Sequence, residues 1–171
     1  MARSHAAMRT EVHDPAIKAI LLGGLIAGAL DISDAFILWG IQGVSPVRIL
    51  HSIASGLLGR DALKGGFSTA ALGAFLHFFM TTIMAAVYYF VAQRVPLLVR
   101  HAVTCGLAYG VALYFFMNFV VLPLSAFPGD PHALSPLPLI NGLLIHSLGV
   151  GLPIALVTRR ALTARGTETS R

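Results

Sequence analysis

The stretch that decides the fold is residues 17–41, IKAILLGGLIAGALDISDAFILWGI, 25 residues whose charged members are Lys18, Asp31 and Asp34. At 1.5 Å per residue such a helix is about 37 Å long, enough to cross a bilayer with some tilt. Carboxylates at that depth cost several kcal/mol unless they meet partners or water, so Asp31 and Asp34 mark a candidate functional level.

The rest of the composition agrees with a membrane setting. The 171 residues are 56% hydrophobic and 11% charged, with a mean hydropathy of +0.79, outside the range of soluble domains. The net charge of +5 would suggest nucleic acid in a soluble protein, but here Lys and Arg gather at the ends of apolar runs, a topological signal. The single cysteine, Cys105, excludes an intrachain disulfide and any Cys-based metal cluster within one chain.

Outward from the first span, Ser45-Pro46 is a helix-start signal, a serine cap before proline at the first helical position. Residues 46–58 then place Val47, Leu50, Ala54 and Leu57 on one face and Arg48, His51, Ser52 and Ser55 on another, predicting an amphipathic interfacial helix. Further spans are predicted at 68–93, 99–122 and 138–158. The second and third form an antiparallel hairpin, and the fourth stops at Arg159-Arg160 with a kink at Pro153. Pro123, Pro128, Pro131, Pro136 and Pro138 predict an extended connection before the last span. The expected fold is therefore an all-α, four-span transmembrane bundle occupying residues 17–160, between an N-terminal tail (1–16) and a C-terminal tail (161–171). Nine Lys and Arg residues fall on the side of the termini and three on the other, which orients both termini to the cytoplasm.

Counting from the outer ends, Asp31 lies about 15 Å deep, Asp34 about 10 Å, His77 about 13 Å, Tyr114 about 12 Å, Asn118 about 6 Å and His146 about 12 Å. Small residues share their faces: Gly24 and Gly28 with Asp31, Gly73 with His77, Gly106 and Gly110 with Tyr114, Gly142 and Gly149 with His146. Close packing on those faces would enclose the polar groups. Three chemistries fit. Asp31, Asp34, His77, Tyr114, Asn118 and His146 can handle protons or a cation, since imidazole titrates near neutral pH. His77, His146 and Asp31 form a donor set for a metal ion, or the two histidines for a haem flanked by Phe75, Phe78 and Phe79. Alternatively, the same groups hydrogen-bond each other and set helix register. Tyr88, Tyr89 and Trp39 read as interface anchors, Met80, Met84 and Met117 as core filler, and His51, His101 and His132 as solvated. No motif argues for a particular enzymatic reaction. The expected partners are the lipid bilayer and a homo-oligomeric or other membrane-protein neighbour, with no nucleic acid.

Several short features occur together: Trp39-Gly40 followed by Ser45-Pro46-Val47, an early His77 with Tyr88 before Val95-Pro96, Gly106 and Gly110 before Pro123-Leu124, and His146 before Arg159-Arg160. Their order over most of residues 17–162 resembles the YagU-like bacterial inner-membrane proteins, small four-span chains without an established function. The first loop is shorter than in that family, and Asp31 and Asn118 have no counterpart there. The resemblance implies the architecture and a bacterial inner membrane, and supplies no activity.

Overall fold

A computed structural model describes residues 15–129 and 136–168; the expectations for residues 1–14, for Pro131 and His132, and for the last residues of the chain lie outside it, while Pro15 and Ala16, expected in the tail, begin the first helix. Every regular element in the described residues is helical. Helix α1 (Pro15–Gly40) is followed by α2 (Pro46–Leu58), a 3₁₀ stretch (Gly59–Lys64) and α3 (Phe67–Ala92). A turn leads through the short α4 (Pro96–Arg100) to α5 (Ala102–Phe116), which continues through a π-helical turn (Met117–Val121) into α6 (Leu122–Leu124). The last run comprises α7 (Pro136–Ile145), a second π turn (His146–Gly151) and α8 (Leu152–Glu168). Four helices, Pro15–Gly40, Phe67–Ala92, Ala102–Leu124 and Pro136–Ala164, are long and apolar enough to cross a membrane. The fold is the all-α multi-pass membrane bundle expected from the composition.

Glycine decides how closely these helices approach. Gly24 and Gly28 face Thr82, Phe78 and Thr81, seating α1 on α3. A Cβ on Gly110 would collide with the His146 carbonyl, and one on Gly151 with the Gly106 carbonyl, so α5 and the second π turn pack backbone to backbone. Gly73 gives α2 the same close approach to α3, at the Leu50 carbonyl.

Both π turns end two residues before a proline, Pro123 or Pro153. Proline lacks an N–H and its ring crowds the carbonyl four residues back, so the preceding ladder shifts by one. The Leu122 N–H accordingly bonds the Met117 carbonyl, and the Leu152 N–H bonds the Ser147 carbonyl. Pro153 thus acts through a widened turn containing His146.

Several expectations are corrected. Helix α8 continues past Arg159-Arg160, because arginine ends a membrane span without ending a helix. Pro123, Pro136 and Pro138 lie inside helices; the last two occupy the first turn of α7, where no intrahelical N–H bond is lost. Tyr88 and Tyr89 are buried rather than interfacial: the Tyr88 hydroxyl donates to the Leu98 carbonyl at 3.2 Å and its ring packs 5.0 Å from that of Tyr109. His51 is buried too, with Nε2–H donating to the Gly66 carbonyl at 3.0 Å. Helix α2 turns His51 and Ser55 inward while Val47 and Leu57 are exposed, since lipid accepts apolar side chains and polar ones find partners inside.

Candidate functional site

Three membrane helices deliver one titratable side chain each to a common point. Asp31 comes from α1, His77 from α3, and His146 from the first position of the second π turn. The Asp31 Oδ2 lies 4.0 Å from His77 Nε2, and its Oδ1 lies 3.7 Å from His146 Nδ1. The carboxylate is thereby bracketed by two imidazoles.

The two histidines differ in their bonding. His77 Nε2–H donates to the Gly28 carbonyl at 2.9 Å, so this nitrogen carries a proton and ties α3 to α1. His146 Nδ1, among the described residues, is a buried side-chain nitrogen with no hydrogen-bond partner. Its 3.7 Å separation from Asp31 is about half an ångström beyond hydrogen-bond range. A buried polar atom left unpaired costs about 1–3 kcal/mol, and here it faces a carboxylate. The Tyr114 ring meets the His146 imidazole edge to face at 5.5 Å and fills the space over Gly142, fixing the imidazole plane.

Asp34 and Asn118 do not join this trio. Asp34, one turn along α1, accepts a hydrogen bond from Asn141 Nδ2 on α7. Asn118 sits in the first π turn and donates to the Tyr114 carbonyl of its own helix at 2.8 Å, so its amide serves local backbone loosened by Pro123. Asn141 was not anticipated from the sequence. Its signal is a lone amide inside the apolar run 136–145, the same signal that identifies Asp31.

The expected metal donors are His77, His146 and Asp31. Among the described residues no group of three His, Cys, Asp or Glu side chains is placed to hold an ion, and His77 Nε2 is engaged as a donor. The three rings expected to flank a haem differ in placement. Phe75 and Phe79 are exposed and stack on each other at 5.8 Å, while Phe78 packs edge-on to His77 and against Gly28.

Compared with protein-family models, curated proteins and solved structures, the chain matches none.

Proposed function

We propose that the protein handles protons within the membrane, with Asp31 and His146 as the exchanging pair and His77 as the fixed imidazole that orients Asp31. The observation carrying this reading is the unpartnered His146 Nδ1, buried 3.7 Å from Asp31 Oδ1. A motion of about half an ångström closes the hydrogen bond and lets a proton pass from the carboxyl to the imidazole. The π turn supplies an element that can shift by that amount, and such turns recur at functional sites. Intramembrane carboxylates and histidines are the usual parts of proton relays.

The same proposal extends to a bacterial inner membrane with cytoplasmic termini, to kinship with the YagU-like proteins, and to transport by a homo-oligomer or with a membrane-protein neighbour. Its support is the nine-to-three Lys and Arg asymmetry and the small space four helices enclose. A structural or accessory role is the second reading, favoured by the His77–Gly28 bond that staples α1 to α3.

The test is proton flux in liposomes driven by a pH gradient. Asp31→Asn is expected to abolish it, and His146→Gln to slow it at least tenfold, while circular dichroism shows the same helix content as wild type. Flux at the wild-type rate in folded Asp31→Asn protein removes proton handling and leaves the structural role.

A further inference from the structure

The two sides of the Asp31 site are built differently, and the difference specifies how protons reach it. Toward the chain termini the interior is closed and mainly apolar, with Thr81 and Thr158 among its buried side chains. Ala27, Ile154 and Ala155 are fully buried, with Ala85 and Val150 each 2% exposed. Beyond them Ala16, Ala19 and Tyr89 form a second closed cluster with Val157 and Leu162. Toward the loops, the next side chains are Asp34 and Asn141, hydrogen-bonded to each other and both part-exposed. The Asp31 side chain itself is 22% exposed. A carboxylate inside a membrane keeps such exposure only toward water or a polar partner. Asp31 is about 13 Å along α1 from Gly40 and about 24 Å from Pro15, so the polar side is also the short one.

Resting on the proton-handling reading, we infer that the Asp34–Asn141 pair is the entry relay, and that in this conformation the Asp31 site exchanges protons with the loop side alone. Asp34 takes a proton from water, forming an O–H bond as hydronium loses one. Asn141 Nδ2–H holds one carboxylate oxygen, leaving the other free for this exchange. The Asp34 O–H then breaks as Asp31 gains the proton. The two residues sit three positions apart on one helix, with Cβ atoms about 5–6 Å apart, a gap that one water spans. Finally the Asp31 O–H breaks as an N–H forms at His146 Nδ1. The groups around the relay are Asp31 and Asp34 on α1, His77 on α3, Tyr114 on α5, Asn141 on α7 and His146 in the π turn; on α2 the His51 Nε2–H is committed to Gly66. On the terminal side, among the described residues, the titratable side chains packed with the layer of Ala27, Ala85, Val150 and Ile154 are Tyr88 and Tyr109, and their hydroxyls are committed as donors to the Leu98 and Met84 carbonyls.

The experiment uses the full chain with Cys105→Ala, in vesicles of known orientation, carrying either Asn141→Cys or Val150→Cys. A membrane-impermeant, anionic methanethiosulfonate is added to one face at a time and labelling is read by mass. Asn141→Cys is expected to react from the loop face only, at least tenfold faster than Val150→Cys from either face. In parallel, Asp34→Asn is expected to slow proton flux at least tenfold, with Asp31→Asn alongside. Labelling of Asn141→Cys from the terminal face, or from neither face, overturns one-sided entry whatever the flux variants do. Wild-type flux in Asp34→Asn, with none in Asp31→Asn, overturns the relay and leaves proton handling standing. Wild-type flux in Asp31→Asn removes the underlying reading itself.

Discussion

The terminal half of the bundle and its loop half are made from similar amino acids and behave as different materials. In the terminal half Ala27, Ala85, Ala92, Ala102, Ile154 and Ala155 interlock with Met84 and Tyr88, and the Tyr109 hydroxyl reaches across to the Met84 carbonyl at 2.9 Å. In the loop half the interior carries polar groups. Leu124, Leu137, Ile140 and Phe67 are largely exposed, and the inward-facing groups are Asp34, Asn141, His77 and Tyr114. Helix association in lipid depends on close packing because lipid tails are as apolar as leucine. Small residues therefore close one half, while in the other the Asp34–Asn141 pair joins α1 to α7.

The largest expected effect breaks the polar half chemically: Asp31→Asn eliminates proton flux in liposomes. Next comes the seam between the halves, where Gly110 meets the His146 carbonyl. Gly110→Val is expected to cost about 3 kcal/mol of unfolding free energy in detergent, whereas Gly40→Ala, with open space around it, changes it by less than about 0.5 kcal/mol. A third comparison truncates one side chain in each half. Ile154→Ala, at 0% exposure, is expected to lose about 2 kcal/mol, and Leu137→Ala, at 59%, less than about 0.5 kcal/mol. Equal losses at those two sites would erase the contrast between the two halves. The smallest effect is expected at α2, where His51→Leu forfeits the bond to Gly66 and about 1 kcal/mol, read from the same unfolding curves.

How much of the site was legible varies residue by residue. Asp31, His77 and His146 could be placed at one depth because helical rise converts sequence position into height, and their glycine-lined faces indicated which way they point. Asp34 was visible as an acid, but its partner Asn141 is 107 residues away, and no local pattern connects two polar residues on different helices. Asn118 was placed on the same side of its helix as Tyr114, about 6 Å nearer the outer end; in the π turn before Pro123 its amide bonds its own backbone instead. Tyr88 and Tyr89 followed the rule for aromatic residues near span ends, and that rule was overridden by tertiary packing: the Leu98 carbonyl of α4 holds the Tyr88 hydroxyl, and α1 and α8 bury Tyr89.

By itself the sequence determined that the chain is an all-helical, four-span membrane bundle with an amphipathic segment after the first span. Length and hydropathy suffice for that, because a backbone in lipid must satisfy its own hydrogen bonds and the helix is the local way to do so. Tertiary structure alone decided which face of α2 turns inward, that Asp34 pairs with Asn141, and that His146 Nδ1 faces Asp31 without a bond. In lipid an apolar face has no preference between the bilayer and the protein interior. Inside and outside are therefore set by close backbone approach and by polar partners brought together from distant parts of the chain.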